Sequence, residues 1–175
     1  HVLAYYAATT LDMPSLPLFS RENAVSVDTV IGTNVLADLS SVGATVLYQN
    51  ATTSGRTAAL ASVINPNDLP ANNGLVALYE VGSNVTMSAG TNATVCVNYS
   101  DAGLTNMQEN NLQLYRLTMT TARTWTNIFS SRDTVANRIC GFTTDFSTFA
   151  VLIPINFDVT APIVTSSARL NPNPS

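Results

Sequence analysis

Few residues in this chain could carry covalent chemistry: two cysteines, Cys96 and Cys140, and one histidine, His1. A hydrolytic triad needs a histidine between a nucleophile and a carboxylate, and a phosphate-binding loop needs a glycine-rich run. The sequence offers one histidine at position 1 and no such run, so neither site can be assembled. We therefore predict a protein that is not an enzyme and holds no cofactor.

Metal chemistry is limited by the same shortage of ligands. His1 could chelate copper through its amino group and imidazole ring, but that site takes a second histidine, which the sequence lacks. A tetrahedral site on the two cysteines has no further cysteine or histidine to complete it. We predict no metal site.

Cys96 and Cys140 are expected to form a disulfide. An even number of cysteines in a hydroxyl-rich, lysine-free chain is typical of exported proteins. On the loop-entropy model, closing a loop of about 45 residues stabilises a fold by roughly 4 kcal/mol. Two buried free thiols are the alternative.

The composition excludes two classes of partner. Only 10% of residues are charged, the formal net charge is -4, and the seven basic residues are arginines scattered singly. Nucleic-acid binding requires a clustered positive surface, which this pattern does not provide. The richest apolar run, 149–155, contains Pro154 and is shorter than the ~18 residues of a membrane helix. We expect an extracellular or cell-surface protein that neither binds nucleic acid nor inserts into membrane.

The elements that must position these residues are predicted to be strands. Short runs rich in Val, Thr, Tyr, Phe and Ile recur between Gly, Asn, Pro, Asp and Ser, a pattern typical of sandwiches and barrels. We predict an all-β fold, an antiparallel immunoglobulin-like β-sandwich with extended terminal segments. The predicted strands are 2–7, 25–31, 44–49, 75–80, 94–99, 112–119, 124–129, 137–142 and 148–155. The best helical candidate is 56–64, with a strand or a loop as alternatives.

Two runs indicate which faces are buried. Alternation places Val95, Val97 and Tyr99 on one face of a strand and Cys96 on the other. Residues 146–153 are apolar on both faces, which favours a central strand covered on both sides. We divide the chain into an N-terminal extended segment (1–24), the sandwich (25–155) and a linker or C-terminal tail (156–175).

Five stretches between residues 76 and 153 carry a family resemblance. They are Val97-Asn98-Tyr99-Ser100-Asp101, Glu109 with Leu112-Gln113-Leu114-Tyr115-Arg116, Thr124-Trp125-Thr126, the hairpin 131–137, and the strand that begins at Asp145. In this order and spacing they resemble the β-sandwich modules of the zona-occludens and netrin-receptor type found in bacterial and archaeal surface proteins. The resemblance implies a sandwich that serves as a spacer or binding unit.

The last stretch is similar to the closing strand of autoproteolysis-inducing domains. Some of these relatives cut their own backbone at a His-Phe-Ser site, where the hydroxyl attacks the preceding carbonyl and histidine takes its proton. The corresponding residues here are Asp145, Phe146 and Ser147. Because a carboxylate with a pKa of about 3.9 is a poor base for a serine, we expect a vestigial motif, with cleavage before Ser147 as the alternative.

Two further patterns concern the surface. Four glycosylation sequons begin at Asn50, Asn84, Asn92 and Asn98, and the last three would decorate one region if the sites are used. Dispersed carboxylates could hold calcium at loop ends, but they lack Asp-x-Asp-x-Asp spacing, so turn capping is the favoured role. These carboxylates are Asp101, Glu109, Asp133, Asp145 and Asp158.

We expect an extracellular structural or adhesive subunit or spacer that joins copies of itself, or neighbouring domains, into a surface filament. The candidate donated strand is the N-terminal segment, with Val2, Leu3, Tyr5 and Tyr6 as its side chains, or alternatively the tail 163–170. The alternative is a carbohydrate- or protein-binding module in which aromatic side chains stack on a ligand, although most are expected in the core. The aromatic candidates are Tyr5, Tyr6, Tyr48, Tyr79, Tyr99, Tyr115 and Trp125.

Overall fold

The computed structural model describes residues 24–62, 69–119 and 123–155. The predicted strand 2–7, the assembly candidates Val2, Leu3, Tyr5 and Tyr6, and the tail 156–175 lie outside these residues. The described strands, in chain order, are β1 (Val25–Thr29), β2 (Gly32–Leu39), β3 (Ala44–Ala51), β4 (Gly55–Ser62), β5 (Asn73–Ser83), β6 (Ala93–Asn98), β7 (Gln113–Met119), β8 (Arg123–Asn127), β9 (Phe129–Asp133), β10 (Arg138–Thr143) and β11 (Thr148–Pro154).

These strands form two sheets whose ladders are antiparallel. The first sheet has the order β1-β4-β5-β11-β7-β8, and the second has the order β2-β3-β6-β10-β9. The sheets pack face to face around a shared apolar core, so the predicted antiparallel β-sandwich is confirmed.

The core follows from residue alternation along the strands. In β6, Val95 and Val97 are fully buried between the sheets, whereas Cys96 faces outward as predicted. Tyr99, just after β6, continues the buried series. Phe149 and Val151 of β11 meet this set from the first sheet.

Strand β11 is buried on both faces, as predicted. Its residues Ala150 and Leu152 belong to a second cluster with Leu78 on the outer face of the first sheet. Tyr115 and Trp125 are half-buried against this second cluster. The sandwich therefore has a main core and a smaller satellite core.

The helical candidate 56–64 was wrong, and the strand kept as its alternative is confirmed for the described part, which lies in β4. Thr57, Ala58, Ala59 and Leu60 are all buried, so both faces of β4 are covered, and β1 and β5 flank its two edges. Alanine favours a helix locally, but here the backbone of β4 completes two ladders of the sheet.

The predicted strand 124–129 is two strands that belong to different sheets. Ile128 separates β8 from β9; its N–H donates to the carbonyl of Leu114 in the first sheet, and its carbonyl accepts from Phe142 N–H in the second. This residue joins the sheets along one side of the sandwich. We call it the Ile128 corner.

Helix is scarce in the described residues. Helix α1 covers Asn106–Glu109 and begins with a capping box between Thr105 and Gln108. Arg132 donates to the carbonyls of Leu112 and Asn110 just after this helix, at 2.5 and 2.6 Å. No helix in the described part of the chain is long and apolar enough to cross a membrane.

The sandwich has two ends that differ in their connections. The β1–β2, β3–β4, β5–β6 and β10–β11 connections lie at one end, which we call the distal end. The β2–β3, β6–β7 and β9–β10 connections lie at the other, proximal, end, where β11 also finishes.

Candidate functional site

The two cysteines form a disulfide on the outer face of the second sheet. Cys96 and Cys140 are directly opposite in the β6–β10 ladder, with an S–S distance of 2.10 Å and a Cα–Cα distance of 4.0 Å. This confirms the predicted bridge over the alternative of two free thiols. Disulfides persist in oxidising compartments, so the bridge is compatible with an extracellular location.

Exposed apolar side chains lie beside the disulfide on the same face. Leu36, Leu47 and Phe142 are 57%, 37% and 53% exposed. The register places Leu36 opposite Leu47, and both Leu47 and Phe142 opposite Thr94, so the three form one row across four strands. We call this set the Leu36 row.

Polar side chains border the Leu36 row. Arg138 reaches from β10 to the hydroxyl of Thr45 on β3. Hydrogen bonds from Ser40 lower the pKa of Asp38, which keeps this carboxylate charged at the edge strand β2. The face therefore combines apolar, cationic and anionic groups.

The cleavage motif lies in the β10–β11 connection, but its aspartate is engaged elsewhere. Asp145 Oδ2 accepts a hydrogen bond from Arg116 Nη1 at 2.9 Å and another from Thr144 Oγ1 at 3.1 Å. Ser147 Oγ is buried and has no hydrogen-bond partner among the described residues. The hydroxyl that would attack in a self-cleaving relative has no proton acceptor in the described structure.

Three of the tyrosine candidates for ligand stacking lie in the core. Tyr48, Tyr79 and Tyr99 are at most 7% exposed, and burial raises the pKa of each phenol. Tyr99 also donates to Glu109, and that negative charge raises its pKa further. Tyr5 and Tyr6 lie outside the described residues.

The carboxylates have separate structural roles. Asp133 Oδ1 accepts from the backbone N–H groups of Val135 and Ala136, which is the predicted turn capping. Glu109 holds Tyr99, and Asp145 holds Arg116, while Asp158 lies outside the described residues. Within the described ranges, no three cysteine or acidic side chains converge as metal ligands.

The sequons divide between the two ends of the sandwich. Asn50, Asn84 and Asn92 lie at the distal end, where Asn50 Nδ2 donates to Ser88 Oγ at 2.8 Å. Asn98 finishes β6 at the proximal end. The expectation that the sequons from 84 to 100 decorate one region was wrong, because β6 separates Asn92 from Asn98.

A recess that the sequence did not indicate lies at the distal end. It has a volume of about 510 Å³ and lies between the β5–β6 connection (84–92) and the β10–β11 connection (144–147). Asp145, Phe146, Ser88 and Thr91 contribute to its lining. Motif spacing could not reveal it, because its two walls are distant in the sequence.

Compared with known proteins, the chain matches no protein-family model and no curated protein significantly. The resemblance to zona-occludens and netrin-receptor modules therefore stays a prediction. The distal recess, the Leu36 row and the edge strands are the features of the described sandwich from which a function can be argued.

Proposed function

We propose that this protein is an extracellular structural or adhesive subunit that joins copies of itself through a donated N-terminal strand. The acceptor is the edge of strand β2 in the second sheet. Its role is structural rather than catalytic, and the assembled form is a surface filament. Neighbouring domains of a longer chain could use the same edge, in which case the sandwich acts as a spacer.

One observation carries this proposal: β2 is a long edge strand. It covers Gly32–Leu39 and pairs only with β3 in the described structure. The unpaired side of an edge strand offers N–H and C=O groups to an incoming strand. Backbone hydrogen bonds along this edge provide affinity on either side of Asn34, whose φ of 53° interrupts the extended strand, and pockets for alternate side chains provide specificity.

The Leu36 row supplies apolar contacts beside this edge. Leu36 is exposed on β2 itself, and Leu47 extends the apolar surface onto β3. The N-terminal segment carries Val2, Leu3, Tyr5 and Tyr6, which match such a surface in chemical type. Association of the donor strand with β2 would remove apolar side chains of both partners from water, which favours binding.

The disulfide supports the extracellular part of the proposal. The disulfide between Cys96 and Cys140 is half-buried at the surface of the sandwich, so reductants would reach it in a reducing compartment. The sequons at Asn50, Asn84, Asn92 and Asn98 agree with an exported glycoprotein.

Deleting residues 1–19 tests the assembly directly. We expect the full chain to form particles larger than a monomer, and the deletion variant to remain a folded monomer. Electron microscopy and light scattering measure particle size, and circular dichroism verifies the sandwich. Unchanged assembly of the deletion variant would contradict the donated strand.

A matched pair of substitutions tests the acceptor edge. Leu36→Lys places a charge in the Leu36 row and should abolish assembly while leaving the fold intact, because Leu36 is exposed. Val135→Lys, at a 94% exposed site in the β9–β10 turn, should assemble normally. Equal assembly of both variants would exclude β2 as the acceptor.

Carbohydrate binding is a second candidate function, favoured by one observation. The distal recess is lined by hydroxyl groups, a carboxylate and an aromatic ring. Binding to an array of immobilised glycans, with saturation-transfer NMR to detect weaker binding, tests this function, and the absence of both signals excludes it.

A further inference from the structure

The distal recess has the size of a small-molecule site. Its volume of about 510 Å³ lies within the ~300–1,000 Å³ of typical ligand pockets. One wall is the β5–β6 connection, and the other is the β10–β11 connection. A compact ligand could contact both walls at once.

Some hydrogen-bonding groups around the recess already bond to other protein groups, and the others are left for a ligand. Asp145 Oδ2 accepts from Arg116 and Thr144, whereas Oδ1 accepts no bond from another described residue. Thr144 and Thr91 donate their hydroxyl protons to protein acceptors, so both oxygens can accept from a ligand. Ser88 Oγ accepts from Asn50 and keeps its proton to donate.

The charge balance favours a neutral ligand. Arg116 forms an ion pair with Asp145 at 2.9 Å, so the carboxylate is compensated within the protein. The remaining polar groups named above are hydroxyls. A phosphate or carboxylate ligand would meet Asp145 without a free cation among these groups, whereas an uncharged polyol avoids that repulsion.

An apolar surface completes the recess. Phe146 is half-buried, and its ring packs on Tyr48 with a centroid separation of 5.7 Å. Met87 lies on the opposite wall. A pyranose ring has an apolar C–H face and hydroxyl edges, so it can pack on an aromatic ring while its hydroxyls bond to the rim.

Both walls are held in place before any ligand arrives. Thr52 N–H donates to Thr86 O, and Thr86 N–H donates to Thr53 Oγ1, each at 2.8 Å. Asp145 is fixed by Arg116 and by Thr144. A preorganised site loses less conformational entropy on binding.

We infer that the distal recess binds a single hexose-sized unit of a neutral carbohydrate. Asp145 Oδ1, Thr144 and Thr91 accept from its hydroxyls, Ser88 donates to it, and Phe146 packs on its C–H face. This inference rests on the second proposed function and adds the place and the ligand class.

The sugar can come from two sources. Asn50, Asn84 and Asn92 surround the same end, so a glycan attached to the protein could occupy the recess. A free carbohydrate outside the protein is the other source. The shared chemistry is a neutral pyranose ring.

Saturation-transfer NMR with methyl glucoside, methyl galactoside and methyl mannoside tests the site on the unglycosylated full chain. Asp145→Asn should weaken binding about tenfold, because it removes a charged acceptor. Asp28→Asn, which also removes an exposed aspartate paired with an arginine, should bind normally.

A second pair of variants tests the space in the recess. Ala89→Trp should fill the recess and abolish sugar binding, whereas Ala102→Trp, at another exposed turn, should leave sugar binding unchanged.

The outcomes separate the site from the function. Glycan-array binding that survives both Asp145→Asn and Ala89→Trp overturns the site and leaves carbohydrate binding intact. An array without hits, together with no NMR signal, overturns both. Binding that is present in the unglycosylated chain but requires deglycosylation of a glycosylated one supports the site and assigns the occupant to the attached glycan.

Discussion

Tyr48 is fully buried, and its hydroxyl group joins the two sheets. It shares a hydrogen bond with Thr57 at 2.6 Å and donates to Ser83 at 2.7 Å, both in the first sheet. Thr57 also bonds to Thr29 at 2.8 Å. A buried hydroxyl with partners avoids the desolvation cost of an unpaired one, so this network stabilises the distal end.

The buried tyrosines make folding sensitive to high pH. Burial raises the pKa of Tyr48, Tyr79 and Tyr99 above the value of about 10 in an unfolded chain. Their contribution to stability is fully present below pH ~10 and is lost as the pH rises further, because the unfolded chain releases these protons first. Urea denaturation at a series of alkaline pH values, followed by circular dichroism, should show this decline.

Paired variants provide the control for this pH dependence. Tyr48→Phe should make the alkaline decline less steep, since the raised pKa of Tyr48 is removed while those of Tyr79 and Tyr99 remain. Val135→Thr, at an exposed site in the β9–β10 turn, changes no titrating group and should leave the decline unchanged. If the free energy of unfolding stays constant well above pH 10, these phenols ionise in the folded protein as readily as in the unfolded chain, and the prediction is wrong.

Local alternation predicted which residues face inward but not what they bond. The buried side of Val95, Val97 and Tyr99 follows from period-two alternation within one strand. The partners of Tyr48 are contributed by two other strands. Alternation carries no information about such pairs, which depend on how the sheets are stacked.

At the scale of elements, the Ile128 corner depends on a glycine. A Cβ atom on Gly141 would lie 2.5 Å from the carbonyl oxygen of Ile128 and 2.8 Å from its side chain. The β9–β10 register also shifts between Cys140 and Gly141, which marks a bulge. Gly141 therefore allows the crossing strand to approach β10 closely.

Gly141→Ala should destabilise the fold by about 1–3 kcal/mol, because backbone at the corner must move to admit the methyl group. Urea denaturation measures the loss. Gly74→Ala is the matched control: its Cβ would lie 3.1 Å from a side-chain methyl of Ile153 and 4.0 Å from that residue's carbonyl oxygen, so a smaller loss is expected. Equal losses would contradict the role of the corner.

The sequence patterns did not favour a strand at β2 or at β4, and both cases have the same physical cause. Strand β4 is alanine-rich, and β2 contains Gly32 and Asn34 with a positive φ of 53° at Asn34. Both have few of the β-branched and aromatic residues that mark strands. Pairing within the sheets overrides these local preferences, and only the assembled sheet reveals it.

At the scale of the whole molecule, the disulfide reduces the number of conformations open to the unfolded chain. Cys96 and Cys140 are 44 residues apart. Cys96→Ala with Cys140→Ala should lower the free energy of unfolding by up to about 4 kcal/mol, since the unfolded loop regains its entropy. Denaturation of the double variant, with reduced wild type as a comparison, measures this. A loss below about 1 kcal/mol would mean that the unfolded chain stays compact without the bridge.

The candidate sites also belong to this scale. The cysteine pair could be predicted, because only two cysteines exist in the chain. The distal recess could not, since residues near 88 and 145 meet only after β5 and β11 pair and β6 and β10 pair. Patterns within one strand do not show that these two connections lie side by side.

The short connection between β1 and β2 determines where the proposed filament bears mechanical load. The donor segment precedes β1 of the first sheet, the acceptor edge is β2 of the second sheet, and residues 30 and 31 alone separate these two strands. Tension that enters through the donor segment and leaves through β2 would pass along this covalent connection. The disulfide between β6 and β10 lies off that path. Under a pulling force, the backbone hydrogen bonds between the donated strand and β2 would therefore yield before the sandwich unfolds.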